Sequence, residues 1–302
     1  MKYCVACHHE LPYSRLYDYA QCPSCKSYMY ISDKPADVEN KEYFDTAFKD
    51  LDGRQYNDKK QKLFERYVHI DRELRQLQYT HFETHREEML KRLNGAARVL
   101  EIGFGTGEHL YAMLERGVDA YGVDLSVTAV KNFQENHPKY ASKVKCGDRF
   151  DNQVDAIYCC ALLEHLDKPE QFMQDAARCM DRNGLLIVDG VPIVNEGPSK
   201  LKPKNDINFW KPCHRAVYSE SGLKTLFSRN AFAVMDLVAH DDYYYRVLSL
   251  HMKYGYRKIQ ELRSSCVMDD RLPRFLIYHY ICRKALRINS LAYHGCVMLK
   301  RN

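Results

Sequence analysis

The stretch from Val99 to Leu110, VLEIGFGTGEHL, constrains the fold of this chain more than any other. An apolar run, Arg98 to Ile102, meets a loop with glycine at every second position, Gly103, Gly105 and Gly107, and a helical pattern begins at once. This reads as a strand, a tight turn and a helix N-terminus. Glycine suits such a turn because it reaches positive φ without steric cost and lets a ligand lie against bare backbone. A dinucleotide fingerprint would need a further glycine where Glu108 stands, so that pattern fails. Glu101, just ahead of the first glycine, would repel a pyrophosphate and suits a ligand with positive charge.

The following segments extend the same architecture. DAYGVD is a second strand ending in Asp124, roughly 20 residues beyond the turn, where an acidic side chain can accept hydrogen bonds from both ribose hydroxyls. A third strand, Lys143 to Cys146, precedes Gly147-Asp148, and a fourth lies in QVDAIYCC with Asp155 near its start. A helical pattern from Pro169 to Met180 stops at Asn183-Gly184, LLIVDGVP is a fifth strand and FAVMDLVAH a sixth. YHGCVMLKRN reads as a final, antiparallel edge strand. S-adenosylmethionine, which carries an ammonium and a sulfonium and no phosphate, meets the charge requirement set by Glu101.

Residues from about 95 to 235 resemble a class I S-adenosylmethionine-dependent methyltransferase. The E-x-G-x-G-x-G turn, the acidic residue after the second strand, the Gly-Asp after the third and E-H-L-x-x-P after the fourth occur in the family's order. The resemblance implies an α/β protein, a Rossmann-like, doubly wound sheet of seven strands, and an S-adenosyl-L-methionine site. It assigns the ammonium to Glu101, the methionine moiety to the backbone of Gly103, Phe104, Gly105 and Gly107, the ribose to Asp124 and the adenine amino group to Asp148. Leu125 and Ala161 join the cofactor-binding set by the same resemblance.

A chain of 302 residues has room for appendages to such a domain. Cys4 and Cys7 in CVAC, with Cys22 and Cys25 in CPSC, form two knuckles whose spacing presents four thiolates to Zn²⁺. A closed set of four cysteines makes that zinc structural, and metal binding then supplies folding free energy to a segment too polar to build its own core. The alternatives are four unrelated reduced cysteines, which the paired spacing disfavours, and His8 or His9 replacing one ligand. The expected organisation is a zinc ribbon at 1–40, a helical connector at 41–94 and the methyltransferase domain at 95–302, with 246–290 a basic helical insertion. Within the connector, Leu63, Phe64, Tyr67, Ile70, Leu74 and Leu77 recur at helical spacing.

No apolar run reaches the roughly 18 residues of a membrane span, and the start MKYCVACHHE lacks a signal-peptide core. A cytoplasmic location with reduced thiols is expected, so the twelve cysteines do not read as a disulfide framework. The net charge of +5 is unevenly spread, with twelve Lys/Arg against three Asp/Glu from Arg246 onward. That tail, with Phe275, Tyr278 and Tyr280, admits three readings: a grip on an acidic acceptor, peripheral contact with an anionic membrane, or nucleic acid. The ribbon carries few basic side chains and is followed by the acidic stretch Asp33 to Asp45, which disfavours phosphate contacts.

The front end, with KEYFDTAF after the ribbon, resembles bacterial methyltransferases of sugars and other small metabolites. The sugar C-methyltransferases among these carry a further large C-terminal domain for which this chain lacks the length, so oxygen is the expected target. His214, in NFWKPCHRAVYSES between the fifth strand and the next helix, is the leading catalytic candidate and resembles the W-x-P-x-H segment of small-molecule members. His165, after the fourth strand, is the second, and Tyr243, Tyr244 and Tyr245 are candidates to line an acceptor pocket. Cys159 and Cys160 lack the proline-cysteine context of a nucleophile and read as strand packing. The expected function is methyl transfer to an oxygen of a sugar, nucleotide sugar or glycan precursor. The alternatives are an RNA or other nucleic-acid methyltransferase, and a zinc-ribbon binding module on a degenerate methyltransferase fold.

Overall fold

The structure is a computed structural model that describes residues 2–12, 19–31, 87, 89–93, 95–147, 153–194, 209, 213–239 and 292–301. Most of the connector, Asp148, Tyr243 to Tyr245 and the basic segment 246–290 lie outside the described residues. Among the described residues no helix is long and apolar enough to cross a membrane.

The ribbon supplies β1 (Tyr19–Gln21) and β2 (Tyr28–Tyr30). The main sheet then takes β3 (Arg98–Ile102), β4 (Asp119–Asp124), β5 (Val144–Cys146), β6 (Val154–Cys160) and β7 (Met180–Val194). Four helices alternate with the strands: α1 (Glu108–Glu115), α2 (Val127–Asn136), α3 (Pro169–Cys179) and α4 (Glu220–Arg229). Their starts follow local chemistry. Ser126 and Ser219 accept the N–H of Ala129 and Gly222 as N-caps of α2 and α4, and Pro169 opens α3, where a missing N–H costs nothing.

The main sheet runs β5-β4-β3-β6-β7-β10-β9, with β9 spanning Phe232–Ala239 and β10 Ala292–Arg301. β3 to β7 are parallel, and β10 is antiparallel to both of its neighbours. The last strand is therefore not at the edge, as its position in the chain suggests. It is inserted between β7 and β9, and β9 forms the border. A strand buried on both sides can pair twice through its backbone, and Val297 and Leu299 are fully buried there.

Through the middle of β3, β6 and β7 side chains alternate between two cores, as the two-residue period of a strand requires. Leu100, Ile157, Cys159, Leu186 and Val188 face α3 and α4, whereas Val99, Ala156, Tyr158 and Ile187 face α1 and α2. Met89 and Leu93, the described end of the connector, are buried with the second group. The turn expected at Asn183-Gly184 does not precede the fifth strand but lies inside β7: Asn183 is left-handed at φ 71°, and the pairing with β6 slips there.

The ribbon joins the first core directly, with Cys4, Cys22, Cys25 and Met29 packed among the α3 and α4 residues. Its sheet is completed by β8 (Ala216–Val217), which pairs antiparallel with β2. Two residues carry no periodicity, so nothing in the sequence marks β8 as a strand.

Candidate active site

In a doubly wound sheet, ligands bind beyond the C-terminal ends of the strands where the order reverses, here between β3 and β6. The glycine turn occupies that position. Gly103, Gly105 and Gly107 all have positive φ, at 70°, 56° and 78°. A Cβ on Gly107 would lie 2.3 Å from Cδ2 of Phe133, and one on Gly103 would lie 3.1 Å from Leu162. The turn is thus closed against α2 on one side and against the loop after β6 on the other. Phe104 does not offer its side chain to a ligand: it is buried, packing edge-on to Phe133 at 5.6 Å, so only its backbone can serve the cofactor role assigned to it.

Asp124 ends β4 and is held by two backbone donors. Its Oδ2 accepts the N–H of Gly105 at 2.9 Å and its Oδ1 the N–H of Ser126 at 2.8 Å. Each carboxylate oxygen has two lone-pair sites, so both retain capacity for a ribose hydroxyl. Burial raises its pKa while the two N–H donors oppose that shift. Leu125, beside it, is 71 % exposed, an apolar surface at the mouth of the cleft.

Glu101 is the most informative group here. It is buried, and its Oε2 has no hydrogen-bond partner among the described residues. Its Oε1 lies 3.8 Å from Nδ1 of His109. Burial drives its pKa well above the ordinary carboxylate range, and the charge of Asp124 pushes the same way. An unpartnered carboxylate oxygen in a dry site is expensive unless a cation meets it. The ammonium of S-adenosylmethionine fits that oxygen, and the glycine backbone and Asp124 fit the rest of the molecule. His109 carries no motif signal in the sequence; two residues beyond Gly107, it lies beside Glu101 and edge-on to Tyr158 at 5.4 Å.

Across the reversal, β6 ends at Cys160 and turns through Ala161, left-handed at φ 49° and exposed, into a 3₁₀ turn, Leu163–His165. Ala161 donates its N–H to the carbonyl of Asp189, inside β7, and Tyr158 donates its hydroxyl to the Asp189 carboxylate at 3.0 Å. Asp189 is another buried acid the sequence reading passed over. Cys159 and Cys160 are thiols raised well above their usual pKa by burial, in keeping with packing.

The two histidine candidates meet in this region. His165 Nδ1 donates to the carbonyl of Cys213 at 2.9 Å, which leaves Nε2 with its lone pair. Burial lowers the His165 pKa to about 4, so the ring is neutral. The His214 ring stands edge-on to it at 4.9 Å. Buried Glu164 lies against both: its carboxylate and the two imidazoles place one ligand atom each within 4.8 Å of one another. The segment carrying His214 is stitched to this turn through the Arg215 N–H, which donates to the Glu164 carbonyl, and through Arg215 Nε to Asp167 at 2.8 Å.

The ribbon fixes that segment from the other side. Tyr19 donates its hydroxyl to the His214 carbonyl at 2.9 Å, and Tyr30 donates its N–H to the Arg215 carbonyl. Ser219 and Ser221 donate to the Cys25 carbonyl, tying the N-terminus of α4 to the second knuckle. In the knuckles themselves, Cys4 and Cys25 are 3.6 Å apart at sulfur and Cys7 and Cys22 are 3.5 Å apart. Tetrahedral Zn–S bonds of about 2.3 Å imply S···S separations of about 3.8 Å, so the set fits that metal. His8 and Lys26 each follow a second cysteine in left-handed conformation, and each donates its N–H back to the first, a matched pair of turns. His8 is committed elsewhere, with Nε2 3.0 Å from Glu170.

A doubly wound sheet with this strand order, an acidic strand end, a glycine cradle and a second acid after the next strand defines a class I S-adenosylmethionine-dependent methyltransferase. The chain belongs to the methyltransferase domain family: the family's sequence profile matches residues 65–237, more than half of the chain. One of the similar solved structures shares the fold over most of the chain. Geranyl diphosphate C-methyltransferase from Streptomyces coelicolor A3(2), in complex with Mg²⁺, geranyl diphosphate and S-adenosyl-L-homocysteine, is 14 % identical, with a TM-score of 0.56 over 90 % of this chain and 100 % of that one. The [4+2]-cyclase SpnF is 14 % identical, with a TM-score of 0.49 over 72 % of this chain and 80 % of that one. An O-methyltransferase from a Brevibacillus brevis trans-AT polyketide synthase, in complex with S-adenosyl-L-homocysteine, is 12 % identical, with a TM-score of 0.45 over 69 % of this chain and 68 % of that one. A search of curated proteins found no match.

Proposed function

We propose that this methyltransferase acts on a small-molecule hydroxyl, an oxygen of a sugar, nucleotide sugar or glycan precursor, with Cys4, Cys7, Cys22 and Cys25 holding a structural Zn²⁺. The observation that carries the reading is the division of the cleft: Glu101 and Asp124 lie on the β3 and β4 side, and largely buried His165 and buried His214 lie on the β6 side.

S-adenosylmethionine supplies an electrophilic methyl group on a sulfonium. Glu101 holds the ammonium and Asp124 the ribose, which fixes the direction of attack, and such positioning is worth several kcal/mol. An acceptor hydroxyl must lose its proton as its oxygen takes the methyl group. His214 is the base for that proton, and neutral His165, oriented by the Cys213 carbonyl, packs its ring in place. A small polar acceptor agrees with the sequence: the ribbon's composition disfavours phosphate backbones, and the basic tail suits an acidic or nucleotide-linked one.

The test is release of S-adenosylhomocysteine from S-adenosylmethionine in the presence of a panel of sugars and nucleotide sugars. Turnover with a member of the panel is expected, with His214→Ala slower by orders of magnitude at unchanged cofactor affinity. Full activity of that variant would end the role of His214, and turnover only with RNA would replace the acceptor class.

A further inference from the structure

We propose that Glu164, His165 and His214 bind a first-row divalent cation, Zn²⁺, Mn²⁺, Fe²⁺ or Co²⁺, at the acceptor side of the cleft. The site is separate from the cysteine ribbon, and its catalytic role rests on the methyl-transfer reading above.

Three ligand types of the right chemistry converge. Two imidazoles and one carboxylate place one donor atom each within 4.8 Å of one another, and all three residues are largely buried. Imidazole and carboxylate together suit borderline divalent ions rather than Mg²⁺ or Ca²⁺, which prefer all-oxygen shells. His165 Nε2 and Glu164 Oε1 are 3.8 Å apart, too far for a hydrogen bond and close to the spacing of two ligands on one ion. At metal–ligand bonds of about 2.0–2.1 Å in tetrahedral geometry that spacing is about 3.4 Å, so the two need close by only a few tenths of an ångström.

The surroundings match a ligating histidine in a further respect. A metal-bound imidazole almost always donates its other N–H to a carbonyl or carboxylate, which sets the tautomer and aims the free nitrogen. His165 does so: Nδ1–H meets the Cys213 carbonyl at 2.9 Å, and Nε2 points toward Glu164. The third ligand is locked by backbone bonds on both sides, with Tyr19 on the His214 carbonyl and the Arg215 N–H on the Glu164 carbonyl. A neighbouring cationic side chain, Arg215, is engaged by Asp167 at 2.8 Å and stacks over Tyr30.

Three protein ligands leave a coordination position open, as catalytic rather than structural metal sites do. An acceptor hydroxyl entering that position is acidified by the cation, and its proton leaves to solvent. His214 then serves as a ligand, and the base it provides in the cation-free cleft is no longer needed.

The test adds Co²⁺ to protein carrying one equivalent of Zn²⁺, enough for the cysteine set alone, and reads both stoichiometry and spectrum. A single further equivalent is expected, with weak ligand-field absorption and none of the intense thiolate-to-cobalt charge transfer that substitution into the ribbon would give. X-ray absorption at the cobalt edge of the wild type should show imidazole nitrogen and no sulfur. Glu164→Gln and His214→Ala should each weaken Co²⁺ at least about 100-fold, beyond the 10–100-fold typical of disturbing an outer-shell partner. Their retained S-adenosylhomocysteine binding would show that they fold. A wild type that takes up no second equivalent of Co²⁺, Zn²⁺ or Mn²⁺, or a cobalt edge showing sulfur, would overturn the proposal. Because S-adenosylhomocysteine binding is measured separately, failure of the metal site and failure of the methyltransferase reading give different results.

Discussion

The two halves of the cleft are built in opposite ways. The cofactor half is local: Glu101, the three glycines and His109 fall within nine residues, and Asp124 ends the next strand. The acceptor half is assembled from distant pieces: Tyr19 and Tyr30 from the ribbon, Glu164 to Asp167 after β6, and Cys213 to Ser221 around β8. A ligand recognised by backbone and one strand end can be served by a short motif. An acceptor pocket needs side chains aimed from several directions, and the ribbon acts as the outside clamp.

This contrast can be broken most forcefully at the ribbon. If Cys4, Cys7, Cys22 and Cys25 hold zinc as proposed, Cys22→Ser or a chelator should lower thermal stability sharply, because the knuckles lie inside the α3 and α4 core and the binding free energy of a structural zinc, about 10–16 kcal/mol, is folding energy. Differential scanning calorimetry with and without chelator checks this, and hydrogen exchange should show residues 213–221 opening before the glycine turn. Equal exchange in both would remove the clamp.

Gly107→Ala attacks the cofactor half. Positive φ and a Cβ only 2.3 Å from the Phe133 ring together should cost roughly 2–4 kcal/mol, read from urea denaturation.

Glu101→Gln sharpens the same half with two opposite signs. In the free protein the pKa of Glu101 lies well above its unfolded value, so the folded state binds more protons and stability falls as pH rises above about 4.5. The glutamine variant should therefore be the more stable apoprotein at neutral pH. It should also bind S-adenosylhomocysteine about 10- to 100-fold more weakly, since charge-assisted hydrogen bonds contribute about 1.5–3 kcal/mol. Wild-type affinity should rise with pH as the carboxyl releases its proton to meet the ammonium, and a flat pH profile would remove that role.

Tyr19→Phe is the mildest test. Losing the hydroxyl that holds the His214 carbonyl should cost about 1 kcal/mol of stability. Turnover should fall while the affinity for S-adenosylhomocysteine stays constant.

The same division explains what was legible in the sequence. The glycine turn, Asp124, the strands and the start of α3 at Pro169 are encoded within windows of a few residues, and the structure places them where the pattern put them. β10 was misplaced at the edge because antiparallel insertion between β7 and β9 depends on pairing partners more than 50 residues away. β8 was missed for the same reason: Ala216 and Val217 become a strand only because Tyr28 and Met29 pair with them. The buried side chain of Phe104 was not legible either, because a glycine motif reveals the backbone path but not which face a side chain takes.

The most direct measurement is calorimetric titration of S-adenosylhomocysteine into the zinc-loaded protein, with Asp124→Ala as control. Micromolar binding by the wild type that is lost in the variant is the predicted result. Absence of binding by the wild type, or equal binding by the variant, would contradict the assignment of Glu101, the glycine turn and Asp124 to the cofactor.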